Sequence, residues 1–217
     1  MNLFKKAFYK KISFDEDILK NKNILSNKIY NQNILVIGGA GTIGSSYIKQ
    51  ILKYKPSKIT VVDINENGLT ELTRDLRSSN LLDYNPEYIT YPVNLLSDTF
   101  DKIFNSESWQ IVANFSAHKH VRSEKDKISV EALIKNNVFG AIKLLNLCKL
   151  NPPKYFFSVS TDKAANPVNI MGASKSLMEK LILSKKNKFR VSTARFANVA
   201  FSNGSLLDGF IYRLNKK

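Results

Sequence analysis

Cysteine is nearly missing from this chain. Cys148 is the only one in 217 residues, so no disulfide can form within it. It lies in an apolar helical stretch, which marks it as a core residue, and a reducing cytoplasm is the expected setting. Histidine is scarce too, with two residues, and no His/Cys grouping has the spacing of a metal site. No apolar run approaches the roughly 20 residues that a membrane-spanning helix needs. Met1 to Lys11 alternates lysine with aromatics and lacks the apolar core and small-residue cleavage site of a signal peptide. Acidic residues are few: 18 Asp and Glu stand against 33 Lys and Arg, a net charge of +15. That balance raises the question of nucleic acid. The lysines are scattered along the chain, with no arginine-rich stripe and no interleaved aromatic motif, so specific nucleic-acid binding is not expected. A basic surface also suits an anionic substrate. What is present is globular: 43% of residues are hydrophobic, enough at this length for a sizeable core.

Residues 1–31 are polar and poorly periodic, with seven lysines and three acidic residues, and read as an N-terminal extension. From residue 32 to 217 the pattern is one α/β domain. Short apolar runs predict strands at Asn33 to Ile37, Lys58 to Asp63, Tyr88 to Val93, Gln110 to Phe115, Tyr155 to Ser160 and Phe189 to Ala194. Helical periodicity predicts helices at Thr42 to Lys53, Gly68 to Arg77, Ser97 to Phe104, Ile128 to Leu150 and Ile170 to Ser184. Ile134, Val138, Ala141, Ile142 and Leu145 share one face of the fourth helix. Leu177, Met178, Leu181 and Ile182 are expected to point inward from the fifth. Continuous apolar strands alternating with helices imply a parallel sheet covered on both faces, with right-handed crossovers: a doubly wound Rossmann architecture.

Glycine is sparse, nine in all, yet four lie between residues 38 and 44. Gly38, Gly41 and Gly44 follow the first strand and open the first helix. A tight turn there needs unusual backbone angles, and a pyrophosphate must approach the backbone without a Cβ in the way. The helix N-terminus then offers N–H groups and partial positive charge. Asp63 ends the second strand, nineteen residues after Gly44, where a carboxylate can accept from ribose hydroxyls. It would repel a 2′-phosphate, which favours NAD. NADP stays open, because Arg74 or Arg77 could reach such a phosphate.

After strand five the chain reads STDKAANPVNIMGASK (160–175). Ligands of open α/β sheets bind beyond the carboxyl ends of the strands, so Thr161, Asp162 and Lys163 should meet substrate. A hydroxyl, a carboxylate and an amine can share proton-transfer work, although Thr and Asp at a strand end also commonly cap the next helix.

With GGAGTIG (38–44), SAHKHV (116–121), NNVFGA (136–141) and RFANV (195–199), this block resembles the extended short-chain dehydrogenase/reductase superfamily. More closely, it is similar to the polysaccharide-biosynthesis branch of UDP-N-acetylglucosamine 4,6-dehydratases. The resemblance runs from about residue 33 to the end. It implies cofactor contacts at Gly38, Gly41, Thr42, Ile43, Gly44, Asp63, Ser116, Ala117, Lys119, Asn137 and Lys175, with Lys175 on the nicotinamide ribose. It places Lys119, His120 and Asn198 near the UDP-sugar, although a histidine at 120 is more readily a packed or surface residue than a catalytic group. Met171 stands where the superfamily usually has its tyrosine base and cannot transfer a proton. Some dehydratases of this branch share that methionine. Tyr54 with Lys58 and Tyr212 with Lys216 repeat the Tyr–Lys spacing, but neither pair follows strand five.

The implied reaction oxidises C4 of the hexose transiently, eliminates water across C5 and C6, and reduces C6. Thr161 would hydrogen-bond the C4 oxygen. Lys163 would take the C5 proton, and Asp162, held protonated, would give one to the C6 hydroxyl. Thr161, Asp162 or a water would replace the missing tyrosine. Relatives carry a C-terminal substrate domain that should begin about where this sequence stops, so a truncated chain is expected, with oligomers in the full-length form. A nucleotide-sugar C4 epimerase and a catalytically silent NAD-binding module are the competing expectations.

Overall fold

The computed structural model describes residues 14–119, 124–184, 188–202 and 204–216. Its centre is a six-stranded sheet: β1 (Asn33–Ile37), β2 (Lys58–Asp63), β3 (Glu87–Pro92), β4 (Ile111–Asn114), β5 (Tyr155–Thr161) and β6 (Arg190–Phe196). The strand order is β3-β2-β1-β4-β5-β6, and every pairing is parallel. This is the doubly wound arrangement expected, with its reversal of strand order between β1 and β4.

Alternation along the central strands divides the core. Leu35 and Ile37 of β1 and Val62 of β2 join Phe100, Phe104, Trp109, Leu144, Phe156 and Met178 on one face. Ile34, Val36, Ile59 and Val61 join Ile48, Leu52, Leu69, Leu72 and Leu76 on the other. The second face is covered by α3 (Thr42–Leu52) and α4 (Glu66–Ser78), the first by α5 (Asp98–Asn105), α7 (Gly140–Leu150) and α8 (Ile170–Leu183). Phe100, Phe104 and Phe156 are fully buried, each contributing up to about 3 kcal/mol of transfer free energy.

Part of the N-terminal extension is helical: α1 (Asp15–Lys20) and α2 (Lys22–Ile29), with Ile29 buried in the second face. α9 (Leu206–Leu214) closes the chain and buries none of its residues.

Two details depart from the sequence pattern. The long helix expected over 128–150 is α6 (Lys127–Ile134), a π-helical turn at Lys135–Phe139, and α7. The wider turn rotates the phase, so Leu133, Asn137 and Leu144 are buried while Ile134 and Ile142 are only half-buried. In α8, Met178 and Ile182 are buried as expected, but Leu177 is 48% exposed. Lys175 and Glu179 take the inward positions instead.

Candidate functional site

The site residues gather at the carboxyl ends of β1, β2, β4, β5 and β6. The glycine turn comes first, and its glycines do different things. Gly38 has φ +75, and a Cβ on it would lie 2.5 Å from the Ser116 backbone nitrogen. A Cβ on Gly44 would lie 2.4 Å from the Gly38 carbonyl oxygen. Gly39, which the motif reading left without a role, sits against Val61, 2.3 Å from where its Cβ would be. Gly41 is unlike these. Its φ is −72, and the nearest atom to a Cβ would be the Gly38 carbonyl oxygen at 3.5 Å. No protein atom therefore demands glycine at 41. The bare surface before α3, whose N-terminus (Thr42, Ile43, Gly44) carries no side-chain cap, fits a pyrophosphate.

Asp63 is held against the same turn. Its Oδ2 accepts from the Ala40 N–H at 2.9 Å, and its Oδ1 from the Asn65 N–H at 3.0 Å. A carboxylate has room for about four hydrogen bonds, so acceptor capacity for ribose hydroxyls is left. Arg74 is ion-paired within its own helix to Glu71.

The loop after β4 is fixed by two asparagines. Asn114 Oδ1 accepts from both the N–H and the hydroxyl of Ser116, at 3.1 and 2.7 Å, and its amide donates to Ser158 Oγ at 3.3 Å. Asn137 is 2% exposed. Its Oδ1 accepts from the His118 N–H at 2.9 Å, and its amide donates to the His118 carbonyl at 3.1 Å and to Ser174 Oγ at 3.0 Å. The side chain expected to touch the cofactor is thus spent on the loop that borders it. Ala117 is half-buried in that loop and Lys119 exposed at its end. His120 lies outside the described residues.

Beyond β5, Thr161 caps a 3-10 turn at Asp162–Ala164. Thr161 Oγ1 donates to Asp162 Oδ1 at 2.9 Å. Lys163 Nζ donates to Asp162 Oδ1 at 3.2 Å and to Asn198 Oδ1 at 3.1 Å. The expected trio is therefore in mutual contact, and Asn198 joins it. The Thr161 hydroxyl and then Lys163 hold the Asp162 carboxyl below the usual carboxylate range. Asp162 is consequently ionised, which corrects the expectation that it is kept protonated.

α8 starts under this turn. Asn169 caps it by accepting from the Gly172 N–H at 2.8 Å, and Glu124 Oε1 accepts from the Met171 N–H at 2.7 Å. A Cβ on Gly172 would lie 2.6 Å from the Lys163 carbonyl oxygen, so this glycine lets the helix meet the 3-10 turn. Met171 is 3% exposed; it packs in the floor and offers no titratable group. Lys175 is also 3% exposed, with Nζ donating to the Val159 carbonyl at 3.1 Å. Burial lowers it to about 8, and the charge of Glu179 opposes that fall. Gly39, Asn114, Glu124, Gly172 and Glu179 escaped the sequence reading. Of these, Gly39 inside GGAGTIG (38–44) and Gly172 inside the 160–175 block carried a signal.

Among the described residues no group of His, Cys, Asp and Glu could hold a metal ion, and no helix is long and apolar enough to cross a membrane. Against known proteins, the chain is 36% identical over 191 residues to the uncharacterized membrane protein MJ1061 of Methanocaldococcus jannaschii, covering 84% of this chain and 54% of that protein. It is 32% identical over 188 residues to a UDP-N-acetylglucosamine 4,6-dehydratase (inverting) of Campylobacter jejuni, covering 82% and 52%. The solved structure of Pen from Bacillus thuringiensis superposes with a TM-score of 0.75 at 26% identity, covering 87% of this chain and 59% of that one. The chain spans just over half the length of both curated relatives. The family model described as "Polysaccharide biosynthesis protein" matches residues 34–217, and with the doubly wound sheet and the glycine turn in place, the chain belongs to that family.

Proposed function

We propose that the protein is an NAD-dependent UDP-N-acetylglucosamine 4,6-dehydratase of bacterial-type surface glycan synthesis, acting in the cytoplasm. The observation that carries this reading is the hydrogen-bonded run Thr161–Asp162–Lys163 at the end of β5, over a buried methionine at 171. Similarity to the Campylobacter dehydratase supports the substrate class. The space at Gly41 and the carboxylate at Asp63 suit NAD: the turn receives the pyrophosphate and Asp63 the adenosine ribose.

A bound NAD supplies a reversible two-electron acceptor, so the sugar can be oxidised at C4 and reduced at C6 without net change in the cofactor. The chain's own residues handle the protons. Thr161 takes the C4 hydroxyl proton and passes its own to Asp162, along the 2.9 Å hydrogen bond already present. That relay replaces the absent tyrosine, and it converts an ionised Asp162 into the acid the next step needs. Once protonated, Asp162 no longer holds Lys163 as an ammonium. Lys163 releases that proton to solvent, regaining it when Asp162 re-ionises at the end of the cycle, and its free amine takes the C5 proton while Asp162 protonates the departing C6 hydroxyl. Lys163 then returns its proton to C5. The C4 hydroxyl proton ends in the released water, so the account balances. Asn198 holds Lys163 in reach throughout.

Mass spectrometry of UDP-N-acetylglucosamine incubated with the protein and NAD tests this. The expected product has lost one water, and Asp162→Asn should slow its appearance by about 100-fold or more, the usual scale of general acid–base catalysis. Full activity in Asp162→Asn would remove Asp162 from the mechanism. An unchanged substrate in a sample that binds NAD would overturn the dehydratase reading.

A further inference from the structure

Behind Lys175 lies a second charged pair that the reaction as described does not use. Glu179 is one turn further along α8, and its side chain is 7% exposed. It is locked to β6 by Arg195. The Arg195 Nε donates to Glu179 Oε1 at 3.0 Å and to Oε2 at 3.2 Å, and a terminal guanidinium nitrogen donates to Oε2 at 2.7 Å. A forked contact of this kind fixes geometry as well as charge. Lys175 and Glu179 face inward together, four residues apart, where helical geometry makes side chains neighbours. A buried ammonium donating to one carbonyl and one thioether sulfur is poorly compensated, and a buried carboxylate beside it is the natural counter-charge.

We propose that Glu179 and Arg195 form a positioning pair for the cofactor lysine. Glu179 keeps Lys175 cationic and aimed at the end of β5, and Arg195 holds Glu179 and sets how much of its charge Lys175 feels. The proposal rests on Lys175 meeting the nicotinamide ribose. Other charged groups on the elements packed against α8 are paired elsewhere or exposed, Arg190 of β6 lying exposed over the Tyr155 ring. Asp162 and Lys163 pair with each other, as do Glu131 and Lys135, and Lys143 pairs with Asp101. Glu124 accepts from the Met171 N–H at the far end of the helix. Lys127, Lys149 and Lys180 are exposed. Glu179, buried one turn along the same helix, is the carboxylate placed to favour the charged form of Lys175.

The test is NAD affinity of the full chain, by calorimetry, between about pH 6 and about pH 10, a range spanning ordinary histidine and lysine titration. Affinity in the unaltered protein should fall as pH rises through about 8, where Lys175 loses its proton. Glu179→Gln removes the counter-charge and should move that midpoint down by about one pH unit. Arg195→Gln leaves Glu179 unopposed and should move it up. A merely structural pair would lower affinity at every pH and leave the midpoint in place. Arg195 is half-exposed on its side chain, so Arg195→Gln carries the test if Glu179→Gln fails to fold. Lys175→Met should abolish the pH-dependent fall. If it does so while the midpoints of the other variants stay put, the positioning role is overturned. If Lys175→Met keeps the fall, the cofactor role of Lys175 is overturned, and the proposal with it.

Discussion

Gly41 and Gly44 occupy one motif but answer to different masters. At Gly44, alanine has an intrinsic helix advantage of about 1 kcal/mol. Its Cβ would meet the Gly38 carbonyl oxygen at 2.4 Å, and a clash with backbone costs about 1–3 kcal/mol or more, so the clash wins. Gly44→Ala should lower the denaturant midpoint even without ligand. Gly41→Ala meets nothing closer than 3.5 Å and should leave the unfolding free energy within about 0.5 kcal/mol of the parent. It should nonetheless weaken NAD binding by about tenfold or more, because the methyl would occupy pyrophosphate space. Calorimetry and denaturation on both variants check the pair. The motif was legible in the sequence as three glycines with one purpose. The division of labour was not, because the atoms that forbid a side chain come from Ser116 and the turn itself. Asp162 is a similar case. Its position was legible, but its ionised state depends on where the Thr161 hydroxyl and the Lys163 amine point.

Secondary elements were read well where hydrophobicity decides and poorly where buried polar groups do. β1, β2 and β4 are covered on both faces, so a continuous apolar run was a sufficient signal. In the stretch 127–150 Val138, Ala141 and Leu145 are buried as expected, while Ile134 and Ile142 are only half-buried, because regular spacing assumes a regular helix. The π turn at Lys135–Phe139 brings Asn137 inward to clamp the loop after β4, and π turns often mark functional sites. In α8 Met178 and Ile182 point inward as expected, but periodicity carries no signal that Glu179 is buried, because the Arg195 that pairs with it lies on β6. Asn137→Ala should strand the N–H and carbonyl of His118 and cost about 1–3 kcal/mol. Hydrogen exchange gives a local readout: the His118 amide should exchange faster in the variant, while amides of β1 and β2 change only with global stability.

At the scale of the molecule, charge is the dominant feature. The net charge of +15 exceeds what the ion pairs offset. Among the described residues Lys20, Lys22, Lys28, Lys53, Lys55 and Lys154 stand in no salt bridge. Like charges oppose compaction, and salt screens them over about 8 Å at physiological strength. Raising sodium chloride from about 0.01 M to about 0.15 M should therefore raise the melting temperature. A fall would mean that the buried or paired charges outweigh the scattered ones. The buried Lys58, held by Glu87 and Glu107 at the amino end of the sheet, is shielded from such screening and should not reverse the sign.

The reversal of strand order has a consequence for how the chain is written. Everything on the β1 side of the sheet comes from residues 33–92, and everything on the β4 side from residues 111–196. The first stretch carries the glycine turn and Asp63; the second carries Thr161, Asp162, Lys163 and Lys175. On the proposed function, the turn that receives the pyrophosphate and the residues that handle the sugar's protons are thus drafted as two consecutive paragraphs of one text. They are bound along a single spine, β1 against β4, where Gly38 lies so close to Ser116 that no side chain can come between them. Either paragraph can be revised with little rewriting of the other, provided that the spine is left alone.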